Sequence, residues 1–478
     1  MCGLFGVIRP FGLLPSDADR IAALGEELKH RGPDGSGFIR EARAILGMHR
    51  LSIMDPKNGW QPFWSEDHRW GVLGNGEIYN ASDLRARLIA RGHTISTGSD
   101  IEVIPHLLEE LNTDAFAQLR GMFALIIYDR SSEDVLLVRD RLGEKPLCYW
   151  TGDVAVFLSS EQSALVRSGI APLEVDQQEL YGYLLHGYTP EPASLISGVR
   201  KVPAGHYLRV STLSGSIAEH AYWNPFDEVS DRRLDDDDLA SALQDAIVST
   251  CTSDVPVGIA LSGGLDSSLV AAVAASARAD LRAFTVGYET PGQDESEQAR
   301  SLASQLGIPC HTVTLRTSDI ARDFAKVCGD RDEPISDIAG PAISSLPHAA
   351  QQVGVPVLLT GIGGDELFWG YDWMRQLATW TTRYLSEGSG KWKTRIPRVT
   401  PFPNVLQAQA DWARDLGGVL TDRQLRQFMA RNSFDGTVPL PFYEFQPSYR
   451  SIRRGIRELL PGIATGGNAE FRGPNSAD

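Results

Sequence analysis

The feature that most constrains this chain is a change of hydrophobic grammar near residue 239. Beyond it, short apolar runs lead directly into helical segments: VPVGIALSGG into LDSSLVAAVAASA, LRAFTVGYE into SEQARSLASQLG, and later VPVLLTGIGGDELFWGY. Strand followed by helix, repeated, reads as a parallel sheet with crossover helices. Before it, GLFGVI, AILGMHRLSIM, RWGVLGNGEIYN, MFALIIYDR and DVLLVRD are divided by Gly, Pro and Asp, the pattern of a strand-rich α+β domain. Few helices are expected there, at about 17–30 and at 83–92, the second capped by Ser82. A polar, acidic stretch ending in DRRLDDDD separates the two grammars. It places a linker at roughly 211–238 between a domain over 1–210 and another over 239–478, although Asp235 to Asp238 also suit the negative first turn of a helix. A chain of 478 residues exceeds one ordinary core, which agrees with two domains.

Charge and cysteine usage exclude several classes of function. A net charge of -16 argues against a partner bound through a phosphate backbone, so no nucleic acid is expected. No run approaches the roughly 20 apolar residues of a membrane helix, and the amino end lacks the charged and apolar regions of a signal peptide. Five cysteines without CxxC spacing read as reduced, mostly buried thiols, with neither a zinc site nor a disulfide framework. A soluble cytoplasmic protein acting on small molecules is expected, with a homodimer left open.

In LSGGLDSS a strand ending at Leu261 turns through Gly263 and Gly264 into a helix beginning near Asp266. Glycines admit an anion to the backbone N–H groups, and a helix N-terminus adds partial positive charge. Gly-Gly alone is an ordinary strand-to-helix turn; Ser262, Ser267 and Ser268 add hydroxyls for phosphate oxygens, and Asp266 adds a carboxylate for magnesium. GxxxxGK is absent, which argues against a Walker-type NTPase. TGIGGDELFWGY repeats the design, with Thr360 and Gly361 at the strand end and Asp365 either a second magnesium ligand or a residue favoured by the helix dipole. At the other end of the chain, Cys2 follows the initiator methionine. Removal of that methionine would leave one residue carrying both a thiol and an α-amino group of pKa roughly 7.7 to 8, nucleophile and base together.

SGGLDSS resembles the pyrophosphate loop of enzymes that cut ATP to AMP and pyrophosphate. The initial Cys-Gly, RGPDGSG, HRLSIMD, NGEIYN and TGSDIEVI together resemble the N-terminal-nucleophile glutaminase domain of class II amidotransferases. Joined in this order, they are similar to the glutamine-hydrolysing asparagine synthetase family over about residues 1–375. The resemblance implies an α+β glutaminase domain of sandwiched antiparallel sheets, followed by an α/β parallel-sheet ATP-pyrophosphatase domain. By it, Cys2 attacks the side-chain amide of glutamine, and Asn75 and Gly76 form the oxyanion hole. Arg50 meets the glutamine carboxylate and Asp100 its amine, with Leu51, Ile53 and Glu77 completing the pocket. Leu261, Ser262, Gly263, Gly264, Asp266, Ser267, Ser268, Val286, Thr360 and Gly361 would bind ATP, with magnesium on Asp266 and Asp365. A carboxylic acid, aspartate by default, would become an acyl-adenylate that ammonia from the first site, delivered through an internal tunnel, converts to an amide.

Two departures bear on the acceptor. Ile362 stands where the family usually carries an acid, and an isoleucine can neither take a proton nor bind an ammonium group. After Tyr371 the family's R-x-PFLD segment has no convincing counterpart; WTTRYLSEGSGKWKTRIPRV and the polar GGNAEFRGPNSAD, read as disordered, follow instead. A shortened product or a branch acting on another carboxylate would explain both. Amidation of a non-aspartate carboxylic acid, and a regulatory or binding protein that keeps only glutamine hydrolysis, stay as alternatives.

Overall fold

GLFGVI has no charged position, and the strand it forms is buried along its whole length. This computed structural model describes residues 1–371 apart from 153, 229–234, 290–293, 335–338 and 369. In chain order the first part comprises β1 (Gly3–Ile8), α1 (Pro15–Leu28), β2 (Gly35–Glu41), β3 (Ala44–Arg50), β4 (Phe63–Trp64), β5 (Trp70–Ile78), α2 (Ala81–Ala90), α3 (Val103–Leu111) and α4 (Ala115–Gln118). It continues with β6 (Gly121–Asp129), β7 (Asp134–Arg139), β8 (Cys148–Gly152), β9 (Ala155–Ser159), α5 (Gln162–Arg167), α6 (Gln177–His186), β10 (Val199–Lys201), β11 (His206–Ser211) and β12 (Ile217–Ala221).

These strands form two antiparallel sheets, in the orders β10-β8-β9-β1-β3-β2 and β12-β11-β7-β6-β5-β4. Alternation along each strand decides what it buries. Phe5 and Val7 of β1 pack on α1 with Leu24 and Leu28, while Leu4 and Ile8 turn the other way onto Leu73, Ile126 and Leu137 of the second sheet. The far face of that sheet, carrying Val72, Leu125 and Ile127, packs on Leu84, Leu88, Ile104 and Leu107 of α2 and α3. Helix, sheet, sheet and helix therefore stack in four layers. Cys2, one residue before β1, belongs to the seam between the sheets.

The later part comprises α7 (Asp236–Thr250), β13 (Val257–Ala260), α8 (Leu265–Ala277), β14 (Arg282–Tyr288), α9 (Ser296–Leu306), β15 (Cys310–Leu315), α10 (Thr317–Asp330), α11 (Gly340–Gln352) and β16 (Val357–Leu359). Its four strands are parallel in the order β15-β14-β13-β16. The chain builds outward from β13 through β14 to β15 and then returns to the other side of β13, so a topological switch lies between β13 and β16. Such a switch opens a crevice at the carboxyl ends of the strands. Met1–Ile362 form one compact unit and Gly363–Asp478 another, of which the described part holds α12 (Gly364–Phe368).

Three details differ from the sequence reading. Ser82 lies inside the first turn of α2 rather than at its cap. Asn80 holds the cap position, and its side chain is drawn instead to Gln118 O and Arg120 N, at 2.9 Å each, tying α2 to the end of α4. The early part also holds α3, α4, α5 and α6, and α3 begins inside TGSDIEVI. Antiparallel pairing runs on through β12, and Asp235 caps α7 by accepting the Asp238 N–H at 2.8 Å. Both tail segments singled out after Tyr371 lie outside the described residues. Among the described residues, no helix is long and apolar enough to cross a membrane.

Candidate active site

Cys2 ends the seam between the antiparallel sheets with its thiol buried. The Sγ accepts the N–H of Leu51 at 3.3 Å, and the Cys2 carbonyl accepts from Arg31 Nε at 3.0 Å. Arg31 is itself fixed by Glu161 at 2.8 Å. Burial pushes the thiol pKa up, with the Leu51 N–H pulling against it. The amine at the start of the chain, on Met1, is pushed down to about 6, chiefly by burial. At neutral pH this corner therefore favours a protonated thiol and an uncharged Met1 amine.

Of the expected glutamine set, Leu51 touches the Cys2 thiol, and Arg50 and Glu77 act on it through their charge. Arg50, the last residue of β3, spends Nη2 on the carbonyls of Met54 and Asp55 at 2.8 and 2.9 Å, while its buried Nη1 has no hydrogen-bond partner among the described residues. Asn75, on β5, likewise has a buried Nδ2 without a partner. A buried donor left unmade is costly, and both donors are free to meet an acceptor. Gly76 follows, and a Cβ there would lie 2.0 Å from the Met122 carbonyl on β6, so only glycine keeps the strand paired at this point. Leu51 acts through its backbone, and Ile53 sits half-buried in the loop after it.

Two carboxyl groups complete the corner. Asp100 accepts the Ile78 N–H at 2.6 Å. Burial raises the pKa of both Asp100 and Glu77, and Asp100 raises Glu77 further. Glu77 and Asp100 together suit an ammonium group, whose charge would relieve the burial of both. The sequence reading did not single out Arg31, Glu161 or Lys145; the buried Lys145, its pKa lowered by burial, acts on Glu77 through its charge. Arg31 and Lys145 sit near motifs rich in turn residues, where an isolated cation carries no periodic signal.

The second constellation forms at the switch of the parallel sheet. Leu261 is buried and bonds to the Phe284 carbonyl of β14 at 2.8 Å. Gly263 adopts a φ of +86°, and the turn closes on itself: Ser262 and Ser267 hydroxyls lie 3.0 Å apart, and the Gly264 N–H reaches Ser262 Oγ at 3.2 Å. Asp266 and Ser268 lie half-buried in the first turn of α8. Gly361, two residues past β16, approaches that turn so closely that a Cβ would be 2.7 Å from the Ser267 nitrogen. Thr360 is exposed beside it, and Val286 lies half-buried on β14. The turn, the helix N-terminus and Gly361 thus meet at the crevice. Ile362 is 76% exposed. Asp365 lies in the first turn of α12, in the second compact unit.

Backbone and side-chain contacts join the antiparallel part to the parallel part. Asp254, before β13, accepts the Asp55 N–H at 2.8 Å, and Asp55 in turn carries the carbonyl that holds Arg50 and accepts the Gly98 N–H at 2.7 Å. Asp332 accepts the N–H groups of Gln162 and Ser163 at 2.9 and 2.8 Å, and Lys201 pairs with Glu333 at 2.7 Å.

The glutamine amidotransferase domain family matches residues 1–223, and the asparagine synthase family matches residues 238–454. The chain is 34% identical over 385 residues to the glutamine-hydrolysing asparagine synthetase 1 of Bacillus subtilis (strain 168), covering 79% of this chain and 60% of that protein. It is 31% identical over 395 residues to asparagine synthetase B of Escherichia coli (strain K12), covering 78% and 65%, and 33% identical over 387 residues to the asparagine synthetase of Sandersonia aurantiaca, covering 78% and 67%. The chain thus spans roughly three fifths to two thirds of the length of these relatives. With both constellations carried on antiparallel and parallel sheets in that order, the chain belongs to the glutamine-hydrolysing asparagine synthetase family.

Proposed function

We propose that this protein is a glutamine-dependent amidotransferase that activates a carboxylic acid with ATP and converts it to an amide. The observation that carries the first half is the pair of buried, unpartnered donors, Arg50 Nη1 and Asn75 Nδ2, in the same corner as a buried thiol. With Met1 removed, the Cys2 amine takes the thiol proton and Sγ attacks the side-chain carbonyl carbon of glutamine. The oxygen that gains charge is met by Asn75 Nδ2 and the Gly76 N–H, while Arg50 holds the substrate carboxylate and Glu77 and Asp100 its ammonium. Ammonia leaves with a proton from the amine, and water releases glutamate from the thioester.

The second half rests on the turn at the sheet switch. Ser262, Gly263, Gly264, Ser267 and Ser268 present hydroxyls and N–H groups that suit the phosphates of ATP, with Leu261, Val286, Thr360 and Gly361 bordering the nucleotide. A hard divalent cation wants oxygen ligands, and the carboxylate of Asp266 would hold magnesium, which neutralises phosphate charge when bound. The acceptor carboxylate attacks the α-phosphorus and expels pyrophosphate, and ammonia then displaces AMP.

Aspartate is the acceptor suggested by the family. The apolar Ile362 favours an acceptor with fewer charges, since a second carboxylate and an ammonium would each need a partner there.

The test is a product assay with glutamine, ATP, magnesium and a panel of carboxylic acids. Glutamate, AMP and pyrophosphate are expected, the last two only with an accepted acid. Cys2→Ala should lose glutamate formation yet retain amide synthesis from ammonium salts. ADP as the product, or undiminished glutaminase activity in Cys2→Ala, would overturn the assignment. Efficient asparagine formation that Ile362→Glu does not improve would refute the reading of the acceptor.

A further inference from the structure

On the outer face of the antiparallel part, three segments bring metal-ligating side chains together. Glu66 lies in the turn between β4 and β5, His93 follows α2, and His106 and Glu109 are one turn apart on α3. Ligand atoms of Glu66, His93 and His106 all lie within 4.8 Å of one another. His93 Nδ1 is 3.5 Å from Glu109 Oε2 and 3.8 Å from Glu66 Oε2, and His106 Nδ1 is 3.6 Å from Glu109 Oε2. These separations are long for N–H···O hydrogen bonds. The two involving Glu109 match the edge of a tetrahedron whose centre is about 2.0–2.2 Å from each corner, where donors stand about 3.3–3.6 Å apart, and the one to Glu66 is slightly longer.

Three of these atoms, His93 Nδ1, His106 Nδ1 and Glu109 Oε2, are buried with no hydrogen-bond partner among the described residues, and His106 as a residue is only 3% exposed. Their other atoms are anchored in ways that aim the free ones inward. Glu109 Oε1 accepts the Asp67 N–H at 3.0 Å, and Glu66 Oε1 accepts the Thr94 N–H at 2.6 Å. His93 Nε2 faces Glu110 Oε1 at 3.4 Å, the carboxylate behind the imidazole that orients a metal-bound histidine. The two imidazole rings meet edge to face, with centroids 5.3 Å apart.

We propose that Glu66, His93 and His106 form a zinc site, with Glu109 beside the two imidazoles. Two imidazoles and a carboxylate are a borderline donor set that suits a tetrahedral ion without redox chemistry. The site would fasten the β4–β5 turn, the end of α2 and α3 to one centre, bracketing the 94–102 segment that carries Asp100 to the glutamine corner.

The test uses the full chain, stripped with a chelator and titrated first with Co2+ and then with Zn2+. One equivalent of Co2+ is expected, with the visible absorption of a tetrahedral ion and no sulfur charge-transfer band, displaced by Zn2+. Zn2+ should also raise the thermal midpoint. His93→Asn and His106→Asn remove ring nitrogens from the site and should weaken Zn2+ binding by about tenfold or more. Glu66→Gln, at a half-exposed side chain, offers a variant whose folding does not depend on the buried pair and should show the same direction of loss. No stoichiometric uptake, an octahedral cobalt spectrum, or binding unchanged in both Glu66→Gln and His93→Asn would overturn the site.

Discussion

Burial does the same thing to the two kinds of acid in the glutamine corner, holding each toward its protonated form, and both shifts serve the proposed reaction. It keeps the Cys2 thiol protonated until a base acts, and it keeps Glu77 and Asp100 above the ordinary carboxylate range until a cation arrives. The folded chain therefore binds protons that the unfolded chain has already released. The stability this contributes is complete below the unfolded carboxylate pKa and is lost as pH rises through the raised folded values. Glu77→Gln should accordingly raise the thermal midpoint in alkaline buffer, while weakening glutamine by about tenfold or more through loss of a charged partner. A midpoint that falls in alkaline buffer would contradict the first half of that expectation. Glutamine binding should expel protons, because its ammonium favours the ionised carboxylates. Calorimetry in two buffers of different ionisation enthalpy measures this, and buffer-independent heats would count against it. Asn75→Ala should cut glutaminase kcat by about 100-fold or more with little change in KM, since its donor is needed most when the oxygen becomes charged.

Secondary elements carry these residues to their places, and one glycine shows how little room is left. Gly361 brings the end of β16 against the first turn of α8, where a Cβ would stand 2.7 Å from the Ser267 nitrogen. Gly361→Ala should push strand and helix apart, cost about 1–3 kcal/mol of stability, and lower pyrophosphate formation while sparing glutamine hydrolysis. Equal loss of both activities would mean that the damage is global. Much of this was legible in the sequence, because strand–Gly-Gly–helix is a local pattern and the short apolar runs of β1, β5 and β6, divided by Gly, Pro and Asp, are local too. The helix α3 was not, since IEVIPHLLEEL mixes β-branched residues and a proline into its first turn, and only the sheet behind it makes a helix the better burial. Nor was Ser82 separable from Asn80 as a cap, because the choice depends on Arg120 and Gln118, about forty residues away. The His93, His106 and Glu109 cluster depends in the same way on a turn between β4 and β5 that brings Glu66 beside them. No periodicity links those positions.

At the scale of the whole molecule, Asp254 ties the segment before β13 to the loop that holds Arg50. Asp254→Ala should leave each half folded and loosen the proposed coupling, raising glutamate formed per AMP. A ratio unchanged from that of the parent protein would show that this contact carries no communication. Asp332 has a second consequence. Its two oxygens serve the first N–H groups of a helix that belongs to the other half of the chain, and the neighbouring Glu333 draws on Lys201 from that same half. A hybrid gene that took residues 1–223 from a cousin whose backbone met these carboxylates even slightly differently would strand three acids at a seam with nothing to receive them. The two halves must therefore be inherited and recombined as a matched pair, and their evolutionary drift at residues 55, 162, 163 and 201 is tethered to that at 254, 332 and 333.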